Sequence, residues 1–445
     1  MSKTFRAWRL DETLLFPPSV QDFVPADHLS RFVVSLVRES LDLRAIYGAY
    51  RGEKGQPPYE PAMMVALLLY SYAVGLYSSR RIARACAERT DFLMIVALDR
   101  PDFRTISEFR RRHLAALSEL FVQVLRLAEA AGLVKLGHVA LDGTKIRANA
   151  SKHKAMSYER MTKREKELAA EVARWLDAAE AADAEEDRAF GKDKRGDELP
   201  DWVMDKQKRI EKIGAAKAAL EAEAKAAAEA KARAEAAAEA ERRAAGRKKP
   251  GKKASPPSGA PAGKAQRNFT DPESRILKTK DGFVQGYNAQ AAVDSQAQII
   301  VAHDLTPGQS DQDQLVPLVD AIEAKLGRRP KEASADAGYC SEANLAALEE
   351  RGIAGYVAVA RAKHAADAKR RVNGPLTQAM QRKLKRAGRR SRYRLRKQVV
   401  EPVFGQIKQA RGFRQFSLRG LAKVKAEWAM ICTAHNILKL AKAAA

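Results

Sequence analysis

Three acidic residues, each beside glycine or cations at the edge of a structural signal, carry the chemistry this sequence offers: Asp142, Asp336 and Glu401. Asp142 closes the short apolar run Val139–Leu141 and is followed at once by Gly143, Thr144, Lys145 and Arg147. That pattern predicts a buried strand presenting a carboxylate at its carboxyl end, where open α/β sheets place their chemistry. Asp-Gly is also a common turn dipeptide, so a plain strand-to-turn reading stands beside it. Asp336 ends a second strand signal in KEASADAGY. Glu401 lies in the basic segment VVEPVFGQIK, with Lys408 two turns further along the same helical face. Pro402 biases Glu401 away from helical backbone, which predicts it at the start of that helix. Acids at two strand ends and on one helix can converge on a pair of divalent cations about 3.5–4 Å apart, as phosphoryl transfer requires. Mg²⁺ keeps several waters and needs few protein carboxylates, so three acids suffice.

The neighbouring polar residues divide between that chemistry and ordinary duties. Lys145 and Arg147 either contact a phosphate strand or balance the local acids. Asp294, Asp304, Asp311 and Asp313 are rivals for a metal, with turn or cap duty expected of each. Asn288 and Gln290 read as sheet polar groups with no assigned role, and His138 and His303 as satisfied core histidines.

The elements that must position the acids are separated by sharp changes of composition. Residues 1–133 read as a helical domain expected to bind DNA. Pro61 opens a helix to about Tyr72, Gly75 ends it, and Ser78 or Ser79 caps SSRRIARACAERT. The pair is compatible with a helix-turn-helix whose basic face is Arg80, Arg81 and Arg84. Thr105 and Glu108 have capping-box spacing, predicting one helix through Leu114, Leu117, Phe121, Val124 and Ala128 to Gly132. Arg110–Arg112 on it either touch phosphates or form a solvated face.

Residues 134–151 and 266–442 read as one mixed α/β domain in the order strand, hairpin, helix, strand, helix, strand. The hairpin is 282–294 with 296–306, and Ser341 and Gly352 bound a later helix. Between the two parts, 152–265 is an Ala/Glu/Lys-rich insertion. It predicts long solvated helices, as in a helical hairpin, followed by a disordered basic linker over 246–264.

The chain of 445 residues holds 80 Lys plus Arg against 55 Asp plus Glu, a formal charge of +25. Such an excess implies a polyanionic partner. The amino terminus lacks the apolar core of a signal peptide, and the most apolar run, Met63–Val74, is short of the roughly 20 residues of a membrane span. Nucleic acid is therefore the expected polyanion, and a cytoplasmic, nucleoid-associated location the expected place. Cys86, Cys340 and Cys432 are far apart, which supports neither a disulfide framework nor a cysteine-rich zinc site.

Several motifs in fixed order resemble one family. DGTKIRANAS (142–151), TDPESRI (270–276), QGYNAQAAVD (285–294), ADAGYCSEAN (335–344) and VVEPVFGQIKQARGFRQFSLRG (399–420) are similar to those of DDE-type bacterial insertion-sequence transposases, close to the insertion-sequence-1182 group. The resemblance extends to the amino-terminal helices and covers nearly all the chain outside 152–265. It implies an RNase H-like catalytic fold, with Asp142, Asp336 and Glu401 as the catalytic, metal-holding triad for two Mg²⁺ or Mn²⁺ ions. It further implies Lys408 as a DNA contact. The Tyr and Arg that related families place seven and four residues ahead of the glutamate fall on Arg394 and Lys397 here, with Tyr393 and Arg396 one residue earlier. The implied reaction is strand cleavage at transposon ends and strand transfer into target DNA. The implied partners are double-stranded DNA, as terminal inverted repeats and target, and further copies of the chain on it, with no membrane. The competing expectation is a catalytically silent DNA-binding derivative of such an element.

Overall fold

The computed structural model describes residues 19–50, 57–190, 201–244, 246, 259–279, 282–359 and 374–444. Most of the predicted disordered linker, and the start of the basic tract before Gly374, lie outside the described residues.

Helices α1 (Leu29–Glu39), α2 (Arg44–Tyr47), α3 (Pro61–Ala73), α4 (Ser79–Glu88), α5 (Thr90–Ile95), α6 (Phe103–Arg112) and α7 (Leu114–Ala130) precede β1 (His138–Arg147). The insertion is β2 (Ala155–Ser157), α8 (Tyr158–Phe190), α9 (Asp201–Ala244) and β3 (Gln266–Asn268). Then come β4 (Arg275–Thr279), β5 (Gly282–Asp294), β6 (Ile300–Thr306), α10 (Leu315–Leu326), β7 (Glu332–Ala335), α11 (Glu342–Glu350) and β8 (Ala354–Val357). Helices α12 (Pro375–Ala387), α13 (Arg396–Gly405) and α14 (Leu421–Ala444) end the chain.

Strand β1 lies inside a mixed sheet. It runs antiparallel to β5, from Val139 opposite Asp294 to Arg147 opposite Gly286, and parallel to β7 from His138 to Ala140. Beyond these, β8 pairs parallel with β7, while β6 and β4 pair antiparallel with β5. The expected strand and helix order of the α/β domain is present, with β4 added. In the insertion, α8 and α9 pack on each other through Met161, Leu168, Ile213, Ala216 and Leu220, and the ribbon β2–β3 lies at their base.

Helix α3 is apolar on every side and almost wholly buried, as a helix without a polar face must be. With α7 it packs on α14, so one hydrophobic core continues from the amino-terminal helices into the sheet. Gly75, in the turn after α3, has φ +81°, and a side chain there would meet Arg411 O at 2.7 Å. Among the described residues no helix is long and apolar enough to cross a membrane.

Three sequence expectations need correction. Asp102, not Thr105, caps α6, accepting from the Arg104 and Thr105 amides, and the helix breaks at His113 instead of running on into α7. Arg110 faces neither phosphate nor water. It is buried and donates to Tyr72 Oη (3.1 Å), Tyr77 O (2.8 Å) and Ser79 Oγ (3.2 Å). Glu401 sits within α13, not at its start. Proline tolerates the helical interior here because the carbonyl it orphans, Gln398 O, accepts from Gln298 Nε2 at 2.8 Å instead.

Candidate active site

Asp142 is not the last residue of its strand, because antiparallel pairing with β5 carries β1 on through Gly143 to Arg147. The parallel pairing with β7 stops at Ala140, so on that side Asp142 stands beyond the last paired residue. Strand β7 ends just before Asp336, whose side chain turns back to accept from the Gly338 amide at 2.8 Å. The parallel strands β1 and β7 thus deliver Asp142 and Asp336 to one edge of the sheet.

Helix α13 brings the third acid. Arg396, its first residue, places Nη1 2.7 Å from Asp142 Oδ2 and Nη2 3.2 Å from Glu401 Oε1. Of the two cations the sequence offers for that place, Arg396 and Lys397, Arg396 is the one that pairs with the acids, with the Tyr393 ring centroid 6.0 Å from its guanidinium carbon. Arg396 is 13% exposed and Asp142 17%, whereas Glu401 is 44% exposed. Burial, countered by Arg396 and reinforced by the charge of Asp336, pushes the Asp142 carboxyl up to about 6.

Lys408 follows in a single π turn, Gln406–Ala410, at the end of α13. Its Nζ donates to Thr144 Oγ1 (3.0 Å) and Lys145 O (3.3 Å), fastening this helix to β1 just past Asp142. Lys145 extends to Gln309 O (3.0 Å) and Asp311 Oδ1 (3.6 Å), and Arg147 is exposed at the strand's end. Arg80, Arg81 and Arg84 line the exposed side of α4. Arg84 pairs with Glu88 at 2.7 Å, and the Arg80 guanidinium lies 5.1 Å over the Phe103 ring. Among the described residues no ion pair joins these α4 arginines to the three acids.

A fourth acid belongs to the same place. Asp311 Oδ1 accepts from Asn288 Nδ2 (2.6 Å) and Gln290 Nε2 (2.7 Å) on β5. Tyr339 donates its hydroxyl to Gln290 Oε1, and Trp428 Nε1 donates to Gln290 O at 3.0 Å. Burial first, then the charges of Asp311, Asp142 and Asp336, hold the Tyr339 phenol well above its usual range. A side chain at Gly338 would lie 3.0 Å from Asp336 Oδ1 and 3.2 Å from Asp311 Oδ2. Asn288 and Gln290, without a role on sequence grounds, form the cradle of Asp311. The clue in sequence was a pair of amides spaced for one face of a strand that is otherwise apolar.

His138 is buried with both ring nitrogens engaged, Nδ1 with Glu332 Oε2 (3.1 Å) and Nε2 with Ser334 Oγ (2.9 Å). His303 packs edge-on against Phe121 at 4.4 Å. Asp294 accepts from the Leu136 and Gln296 amides, and Asp304 pairs with Lys425 at 2.7 Å.

The donor chemistry of the acids suits Mg²⁺ or Mn²⁺: hard carboxylate oxygens, two of the acids close enough that one raises the other's pKa, and little solvent at Asp142. Among the described residues, however, no three His, Cys, Asp or Glu side chains stand close enough together to hold a metal ion. The Arg396 guanidinium stands between Asp142 and Glu401.

Two stretches of the chain match known protein families. Residues 260–437 match the Transposase DDE domain, and residues 18–112 match the Transposase domain (DUF772). Asp336 and Glu401 fall inside the first match, and Asp142 falls between the two, on the strand that the sheet places beside β5 and β7. No curated protein and no solved structure matches the chain.

Proposed function

We propose, from its matches to the Transposase DDE domain and to the Transposase domain (DUF772), that the chain is an insertion-sequence-1182-like transposase. It cuts DNA strands at the transposon ends and transfers them into target DNA. The observation that carries the reading is that Asp142 and Glu401, far apart in the chain, share one arginine beside Asp336.

Asp142, Asp336 and Glu401 are the catalytic acids and would hold two Mg²⁺ or Mn²⁺ ions. Bound there, such ions supply Lewis-acid activation of water and of the leaving 3′ oxygen. The chain's own residues position the DNA. Lys408 keeps α13 in register with β1, so Glu401 and Asp142 hold a fixed relation. Lys145 and Arg147, on the strand just past Asp142, and Lys408 beside them flank the scissile strand with positive charge. Arg80, Arg81 and Arg84 on α4 bind duplex away from the acids, as a basic helix face does. No side chain acts as a covalent nucleophile, because catalysis of phosphoryl transfer is mostly positioning and electrostatics. An element has two ends, so the working form is a homo-oligomer assembled on DNA.

The test is purified chain with Mg²⁺ and a labelled duplex carrying the element's end. Wild type cleaves a strand. Asp142→Ala, Asp336→Ala and Glu401→Ala each abolish cleavage while still binding the duplex, with affinity that falls steeply with salt. Wild type that binds but never cuts points to the catalytically silent derivative instead.

A further inference from the structure

We propose that Arg396 is a resident counter-cation of the acid site, and that its release couples metal loading to DNA binding. This rests on the transposase reading above and names a residue interaction that the reading does not require. Arg396 takes one oxygen each from Asp142 and Glu401, at 2.7 and 3.2 Å, from the first turn of the helix that carries Glu401. Asp336 adds to the negative charge that holds it there. All three acids are the ones a dication would use. A guanidinium and a divalent cation cannot occupy the space between Asp142 and Glu401 together, because like charges repel strongly where water is scarce. Removing Arg396 from these partners without a substitute would leave a mostly buried cation uncompensated, which is costly. Metal therefore enters by exchange, and the exchange is easier when the guanidinium has somewhere else to go.

The structure supplies that place. Arg396 also lines an open groove of about 830 Å³ whose walls include Asp336, Ser391, Tyr393, Arg394 and Lys397. Apart from Asp336, the charges along this wall are cations, and its neutral polar groups are the Ser391 and Tyr393 hydroxyls and the Gln381 amide, a lining that suits a phosphate. A guanidinium engages phosphate in the same forked geometry as carboxylate. A DNA phosphate in the groove gives Arg396 a second anionic partner, and the carboxylates are then open to metal. By linkage the effect is reciprocal: metal strengthens DNA binding by the factor by which DNA strengthens metal binding.

The experiment is Mn²⁺ binding to the full chain, followed by electron paramagnetic resonance, with and without a short DNA duplex. In wild type, adding the duplex tightens Mn²⁺ binding by about tenfold, a typical coupling. Arg396→Gln binds Mn²⁺ about tenfold more tightly than wild type without DNA and gains little more when DNA is added. Arg396→Lys, a point charge that cannot span both carboxylates, falls between the two and serves where the Gln variant does not fold. Equal Mn²⁺ affinity in wild type and a folded Arg396 variant, or an undiminished gain from DNA in that variant, overturns the placeholder role and leaves the transposase reading standing. Mn²⁺ binding that survives Asp142→Ala overturns both.

Discussion

Gly143 separates the catalytic candidate Asp142 from Thr144, and its missing side chain is what lets Asp311 approach. A β-carbon there would sit 2.7 Å from Asp311 Oδ1 and 2.9 Å from Asn288 Oδ1, closer than packed atoms tolerate. Gly143→Ala therefore pushes Asp311 off its two amides or bends β1 at the acid. The expected result is a loss of about 1–3 kcal/mol in urea unfolding, with cleavage lost more completely than stability. The same contact explains what sequence could and could not reveal. Asp142, Asp336 and Glu401 were legible because glycine, cations and a strand or helix signal stand next to each in the chain. Asp311 was not. Its neighbours in sequence read as a loop and a cap, and its partners Asn288 and Gln290 come from a different strand. Arg396 was ambiguous by one residue because the helical pitch alone does not say which cation of a basic run turns inward.

At the scale of elements, the turn between β5 and β6 holds the acid-bearing helix. Gln298, at φ +58°, donates from Nε2 to Gln398 O, while its Oε1 accepts from Lys439 Nζ (2.8 Å) and Gln406 Nε2 (3.3 Å). The first of these bonds replaces the one that Pro402 cannot make. Gln298→Ala leaves Gln398 O, at an exposed position, to water and is expected to cost about 0.5–1.5 kcal/mol. In a Pro402→Ala background the new amide at 402 can bond to Gln398 O, so Gln298→Ala costs less there. A double-mutant cycle in urea measures the difference, and equal costs in the two backgrounds remove the argument. Helix existence and order were readable from apolar spacing, glycine stops and serine caps. The helix limits that were misjudged, at Asp102 and Glu401, turn on two different bonds. At Asp102 the carboxylate accepts from the Arg104 and Thr105 amides and so starts the helix ahead of Thr105, and at Pro402 a distant glutamine supplies what proline lacks.

Over the whole molecule, helix α14 is the post to which the other layers are tied. TDPESR, immediately before β4, reaches its start: Asp271 Oδ1 accepts from the Gly420 amide (3.2 Å) and Glu273 Oε2 from Leu421 (2.6 Å). Further along, Asn436 exchanges two hydrogen bonds with the backbone of Ile300, both 2.9 Å. Beside it, His435 donates from Nε2 to Gln298 O (2.9 Å), while Nδ1 faces Arg411 Nη2 (3.4 Å) and so accepts. Burial first, then Arg411 and Lys439, push the His435 imidazole down to about 3 from 6.5. The folded chain keeps this ring neutral, whereas the unfolded chain protonates it as the pH falls through 6.5. Its contribution to stability is therefore complete above pH 6.5 and is lost as acid is added toward pH 3, at about 1.4 kcal/mol per pH unit for the one proton. Unfolding measured across that window shows a slope smaller by one proton in His435→Gln. An unchanged slope assigns the acid sensitivity elsewhere.

The insertion stands apart from this post, and its removal separates an enzyme from a scaffold. Its helices have their own small core, and its base is the ribbon in which Ser157 lies opposite Gln266. Strands paired in this way can be joined by a two-residue Asn-Gly turn. Replacing 158–265 with that turn removes the Glu223 pairs with Arg267 and Arg275 and the arm's private core. It leaves β1, β5, β7 and α13 in place. Ion pairs with a half-exposed partner contribute about 1 kcal/mol or less, so thermal unfolding of the shortened chain is expected to stay close to that of the parent. It should also still cut a labelled duplex end while its Asp142→Ala version does not. Loss of cutting in a shortened chain that folds and binds DNA would mean that the arm takes part in assembling the DNA complex, and that the acids held around Arg396 are insufficient alone.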